Sequence, residues 1–546
     1  MSVGRRGIGL LAIAILLTWP QALHSASLYG AAGGEVDNHY WMYWVATQRV
    51  VVAISGHTLG PLTDVPHGWE IPLMDPINLP IWWSAAWIRP EVGYTAVLWV
   101  NLMLAGFGAG KLAMAIHART GAGATKGSDA LAFWAGAVAG MASPPLLGFM
   151  NFGIAEAWTV GWLGLHAAYL LRWGETGERR ALVLAAAAAA AVWASGWYNA
   201  AFLLMLEPFL WVAARRWSLA LPVAAVVAAL PRLPALWETH ANFALWSSRL
   251  TGICTAIPNR GWLARPFCGA DLLALIRPSP EPLLVSHAMY VGLVAVGLAG
   301  FGVVRRPSRS TMALVAAIGV LWAFSLGTTL RIAGQPSPLP MPAGLATALL
   351  PQLRAITHWE RAEVPAGMLL AGLVGAAVAR LPRWGGIVAG LLLLVDTLGF
   401  GGQQFPRQSY ATDAPAELRT LDGTGALLLI PVDNTFDAPQ NRSRRPYNQW
   451  QVDFGRPVSE NYEGPDDVTK YPAIKYLNYT CGVRPGPGER PPRVWDLGEL
   501  RSLHDVGYDW IVVVPELARD PAACEAAVTG AFGDPQVSGR IVAWRL

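Results

Sequence analysis

Residues 93–116 read GYTAVLWVNLMLAGFGAGKLAMAI, with Lys111 the one charge in the run. At about 1.5 Å of rise per residue, such a helix outlasts a hydrocarbon core about 30 Å thick. Similar runs recur along the chain. With this one they give eleven candidate spans, near 7–26, 93–116, 130–150, 154–172, 181–197, 198–214, 218–236, 289–304, 310–330, 364–380 and 385–400. The composition agrees. Of 546 residues, 53% are hydrophobic and 14% are charged, against about 25% charged in a soluble domain. The mean hydropathy is +0.36. The expected fold is mainly α: a polytopic membrane bundle of about eleven transmembrane helices.

The connections orient the bundle. Arg5 and Arg6 precede the first span. Arg119 and Lys126 follow the second; Arg172, Arg179 and Arg180 the fourth; Arg215 and Arg216 the sixth. Arg305, Arg306 and Arg309 follow the eighth, and Arg380 and Arg383 the tenth. With eleven spans all these groups fall on one side, which the bias of short basic loops makes cytoplasmic. The N-terminus is then cytoplasmic and the C-terminal region is extracytoplasmic. The other reading of residues 1–26 is a cleaved signal peptide. It leaves the later topology unchanged.

Charge divides the chain. Residues 1–400 hold 25 Lys/Arg against 17 Asp/Glu, or +8, and residues 401–546 hold 15 against 19, or −4. The expected domains are a membrane domain over 1–400, with a long first outer loop at 28–92, and an extracytoplasmic domain over 401–546. In the latter, Ala426–Val432, Trp510–Val514 and Arg540–Arg545 are strand-like and Pro521–Phe532 is helix-like. That pattern predicts a small α/β domain. Scattered arginines and a net charge of +4 argue against a nucleic-acid partner. All four cysteines fall in segments placed outside, where disulfides form, and the simple pairing is Cys254 with Cys268 and Cys481 with Cys524. The alternative is four thiols. The C-x-x-C spacing of a zinc site is absent, so no zinc site is expected.

Ionisable groups near lipid are costly and point to chemistry. In the first outer loop Glu35 and Asp37 precede His39, and Asp64, His67, Glu70 and Asp75 follow. A carboxylate here suits two tasks: general base toward an acceptor hydroxyl, or ligand holding a divalent cation against a phosphate. Asp37 is the first candidate, Glu35 the second. The bland alternative is a solvated loop acid. Before the tenth span, Arg354 and Arg361 flank His358 and Glu360. Arginine grips phosphate with paired donors, so these two, with His358 and His39, are the substrate and phosphate candidates. Their bland alternatives are a lipid-headgroup contact or pairing with Glu360 and Glu363. Glu207, Arg232, Asp396 and His166 read as structural groups. Glu207 would pair with a polar group of a neighbouring span.

The order of these parts resembles the GT-C superfamily of integral-membrane glycosyltransferases, more narrowly its bacterial YfhO-like and dolichyl-phosphate-mannose-type mannosyltransferase-like branch. The resemblance is carried by GEVDNHYWMYWV (34–45), VPHGWEIPL (65–73), residues 142–171, residues 325–364 and LHDVGYDWIVVVPEL (503–517). It implies inverting transfer of a sugar from a polyprenyl-phosphate donor to a glycan, lipid or protein acceptor on the outer face of the bacterial inner membrane. Asp37 matches the family's first-loop acid. The family's usual R-x-P-x-R-F is replaced by RAITHWERA (354–362), and a paired Asp-Asp motif is missing. A divalent cation such as Mg or Mn is therefore compatible with the loop acids but not required. The rival reading is a non-catalytic scaffold or lipid-handling accessory protein that keeps the same architecture. A transporter is disfavoured by the few mid-span charges and the large outer domain.

Overall fold

The computed structural model describes residues 3–30, 35–48, 75–120, 126–217, 269–277, 290–333, 335–350, 358–400, 409–411, 414–432, 446–459, 472–482 and 497–546, with isolated positions between. The chain forms two compact units. A helical unit comprises Met1–Ala31 and Met74–Tyr410; an α/β unit comprises Ala32–Leu73 and Ala411–Leu546.

The helical unit is built around Pro90–Arg119, a helix of 30 residues. Pro90 starts it with a preset φ, Glu91 lies in its first turn, and His117 and Arg119 lie in its last. Both charge placements match the helix dipole. Gly108 lets this helix touch the Gly161–Thr176 helix backbone to backbone: a Cβ at Gly108 would strike the Gly161 carbonyl. Small residues at such crossings replace the hydrophobic drive that lipid removes. Pro90–Arg119 and Trp359–Val378 are long and apolar enough to cross a membrane. Gly127–Met141 and Pro144–Phe152 form a further candidate, bent by 40° where two prolines open the second segment. Ten of the eleven expected spans overlap described helices, wholly or in part. The eleventh, near 218–236, lies largely outside the described residues, as do Cys254 and Cys268.

The basic connections converge. Arg119 donates to Leu171 O at 2.8 Å, Ala214 O at 3.2 Å and Ser310 Oγ at 3.0 Å, and to Ala213 O. Three of these acceptors are carbonyls at or near helix C-terminal ends, which a nearby cation satisfies. Arg306 donates to Thr120 O at 3.1 Å, and Arg380 to Thr120 Oγ1 at 2.6 Å and Gly302 O at 2.8 Å. Arginines from three separate connections therefore meet around Arg119 and Thr120, as the shared sidedness in the sequence predicts.

The groups read as structural find partners. His166 and Glu207 pair with each other, Nε2 to Oε1 at 3.0 Å, while His166 Nδ1 meets Ala185 O at 2.9 Å. Asp396 accepts from Tyr290 Oη at 2.5 Å and Val294 N at 2.9 Å, tying the head of Leu293–Arg305 to a residue far along the chain.

The α/β unit holds a four-stranded sheet in the order Ala426–Ile430, Tyr508–Val513, Val542–Arg545, Val537–Ser538. The first pair is parallel and the others are antiparallel. Both faces are covered, and the central strands read as unbroken apolar runs for that reason. Leu428, Ile430, Ile511 and Val513 face one core. Leu427, Leu429, Trp510 and Val512 face the other. The Pro521–Phe532 helix forms where expected, with Asp520 accepting from Ala523 N at 3.0 Å as its cap. The Cys481–Cys524 disulfide forms and lies inside the first core.

Candidate functional site

The segment HWERAE builds the first part of the site. Trp359–Ala362 form a tight 3-10 turn that runs into the helix Glu363–Val378. Pro365 is accommodated in the first turn of that helix, where its missing N–H has no partner to lose. The turn is anchored by Trp359, fully buried against Phe324 at 5.5 Å between ring centres. This anchoring drives Glu360 and Arg361 inward, leaving them 2% and 6% exposed.

Each buried charge meets a specific group. The Arg361 guanidinium pairs with the Glu156 carboxylate, which is also buried. Its Cζ lies over the Tyr198 ring at 4.4 Å from the centroid, a cation–π contact. The Tyr198 hydroxyl accepts from His358 N at 3.3 Å. His358 Nδ1 lies 2.7 Å from Glu360 Oε1. The His358 side chain keeps 17% of its surface exposed, against 2% for Glu360. Glu363 Oε1 accepts from Ser325 Oγ at 2.5 Å.

Local structure places Glu156. Gly153 ends the Pro144–Phe152 helix in the left-handed conformation, φ 78°, and the chain turns into the short helix Ala155–Trp158. Asn199 fixes that turn by donating to Glu156 O at 2.7 Å and Thr159 Oγ1 at 2.8 Å. A lone buried ion pair seldom repays its desolvation, so the aromatic contact and the braced turn are part of what holds it. Of the first-loop acids, Asp75 accepts from Asn78 Nδ2 at 2.7 Å, and Asn78 Oδ1 accepts from Asn101 Nδ2 at 2.8 Å.

The α/β unit carries the other candidates. Asp37 and His39 lie at the start of the helix Val36–Gln48, both 1% exposed. Asp37 sits in the first helical turn, where the dipole favours a carboxylate. Glu35 and His39 are one helical turn apart, and His39 Nε2 lies 3.7 Å from Glu35 Oε2. They offer one oxygen and one nitrogen ligand of the kinds a divalent cation accepts. The helix is held within its unit by Trp41 Nε1, which donates to Gln451 Oε1 at 2.6 Å; Gln451 Nε2 in turn donates to Arg456 O at 2.8 Å.

The structure thus brings Arg361 and His358 into one cluster, and Asp37 and His39 onto one helix with Glu35 just before it. Arg354, Asp64, His67 and Glu70 lie outside the described residues. Sequence reasoning missed Glu156 and Tyr198. An acid inside the apolar run GIAEAWTV is the available signal for Glu156; nothing local marks Tyr198.

No family model and no curated protein matches the chain. Solved structures do. ArnT from Cupriavidus metallidurans in the apo state matches with a TM-score of 0.51 at 12% identity, over 98% of this chain and 97% of that one. The arabinofuranosyltransferase AftD from Mycobacteria matches with a TM-score of 0.54 at 18% identity, over 99% of this chain and 41% of that one. The chain therefore shares the fold of these two structures.

Proposed function

We propose that this protein is a membrane glycosyltransferase that moves a sugar from a polyprenyl-phosphate donor to an envelope acceptor on the outer face of the bacterial inner membrane. In this reading the chain crosses eleven times. Its N-terminus is cytoplasmic and its C-terminal region is extracytoplasmic. The observation that carries the reading is the buried constellation of Glu156, Arg361, His358 and Glu360 at the head of a span-length helix, in a chain that shares the fold of ArnT and AftD. Buried ionisable groups at such depth are functional far more often than decorative.

The chemistry is an inverting displacement at the anomeric carbon. The acceptor oxygen forms the new bond, and the bond from that carbon to the phosphate oxygen breaks. Asp37 orients the acceptor hydroxyl and takes its proton. Arg354, Arg361 and His358 offset the charge that grows on the leaving phosphate, the contribution a preorganised cationic clamp makes to such a step. Glu35 and His39 are the residues that would accompany Asp37 if a divalent cation takes part.

The test is sugar transfer by purified protein in lipid, across a panel of polyprenyl-phosphate sugars, beside Asp37→Asn. Loss of a positioned general base lowers the rate by about 10²–10⁴-fold, and at least a hundredfold fall is expected here. Transfer that survives Asp37→Asn keeps the enzyme and removes Asp37 from its role. Silence across the panel favours the second reading, a non-catalytic scaffold. One feature supports that alternative: the Arg361 guanidinium is already engaged by Glu156.

A further inference from the structure

From the same constellation we infer that His358 is the residue that contacts the phosphate group of the lipid donor, and that Glu360 is the positioning residue that holds it for that contact. This rests on the glycosyltransferase reading and makes its phosphate site specific.

Two basic side chains of the cluster are described, and they differ in commitment. Arg361 is pinned from two directions, by the Glu156 carboxylate and by the Tyr198 ring beneath its Cζ. His358 has one ring nitrogen committed, Nδ1, to Glu360 at 2.7 Å. Its Nε2 makes no hydrogen bond among the described residues, and its ring is the more exposed member of the pair. The backbone beneath is fixed, because His358 N donates to the Tyr198 hydroxyl and the next residue, Trp359, is buried. An ionised carboxylate only accepts, so Glu360 requires a proton on Nδ1. An approaching phosphate requires one on Nε2. His358 then bridges two anions as an imidazolium, with Nδ1–H donating to Glu360 and Nε2–H donating to a phosphate oxygen. Glu360 touches no ligand in this scheme. It sets the ring's orientation, the second partner that such histidines need.

The experiment uses the full chain reconstituted in lipid. Binding is measured for a long-chain polyprenyl phosphate carrying no sugar, for the matching polyprenol, for phosphatidic acid and for inorganic phosphate. The polyprenyl phosphate is expected to outbind the polyprenol. Glu360→Gln and His358→Gln are each expected to weaken it about tenfold, the lower end of what one charge-assisted hydrogen bond is worth. The double variant is expected to lose no more than either single one, because Glu360 acts through His358. Glu360→Asp restores part of the affinity, and the donor KM moves more than kcat. In the wild type, nitrogen NMR of the His358 ring is expected to show both nitrogens protonated once polyprenyl phosphate is bound. That readout stands even where a variant fails to fold.

Wild-type binding that neither glutamine variant weakens overturns the assignment and leaves the glycosyltransferase reading standing. A neutral His358 ring in the loaded protein does the same. Equal binding of polyprenyl phosphate and polyprenol overturns both. Tighter binding of phosphatidic acid or inorganic phosphate than of polyprenyl phosphate removes the donor as the ligand and overturns the inference.

Discussion

Arg361 and Arg380 flank the same helix, about 28 Å apart along its axis, and they live in different chemistry. Arg380, with Arg119 and Arg306, donates to backbone carbonyls and hydroxyls. Arg361 meets a carboxylate and an aromatic face, beside a histidine that has its own carboxylate. Neutral acceptors at helix ends make a clamp: the arginine closes several helix termini and has no need of a ligand. Carboxylates held in a buried turn make a charged constellation that an ionic ligand can rearrange. The residue type is the same at both ends. The partner decides the role.

The largest expected effect falls on the second kind. Arg361→Met leaves Glu156 as an uncompensated buried charge and is expected to cost about 3–5 kcal/mol, read from unfolding of the purified protein. Adding Glu156→Leu should recover most of that loss. If the double variant is no more stable than the single one, the pair is not the unit proposed here. The clamp should respond more weakly. Arg119→Gln removes a charged donor from several acceptors and is expected to cost about 2–3 kcal/mol, with donor KM unchanged. A shift in donor KM would erase the distinction between the two ends. Arg380→Gln, with fewer acceptors to lose, should cost about 1–2 kcal/mol by the same measurement.

The smallest effect extends the comparison to the α/β unit. Glu417 is bonded by backbone N–H groups, its own and that of Arg540, the latter at 2.9 Å, and these hold its carboxyl below the usual value of 4.5. A depressed carboxyl stabilises the fold above that ordinary value and loses its contribution as pH falls through the lower folded one. Glu417→Gln should therefore flatten acid unfolding of this unit slightly and leave stability near neutral pH almost unaltered. An unchanged acid limb would show that this backbone pairing contributes nothing.

Much of the architecture was legible in the residues. The apolar runs around 93–116 and 364–380 became span-length helices, because burial on all sides demands apolar residues on all sides. Loop charge put Arg119, Arg306 and Arg380 in one class, and their meeting is supplied by packing. ALLLI and YDWIVV became the buried strands, and the Cys481–Cys524 pairing held. The site was half legible. Asp37, His358 and Arg361 stand out as ionisable groups in unusual surroundings. Their partners do not. Glu156 lies 205 residues from Arg361, and Tyr198 is an aromatic among many.

Composition and period are properties of short stretches, so the sequence alone determined where most of the described helices and the buried strands fall. Which buried charge meets which is settled only when distant stretches pack. That is why the tertiary structure decided that Glu156 faces Arg361, that His166 faces Glu207, that Glu360 holds His358, and that the helix bearing Asp37 packs with the C-terminal region.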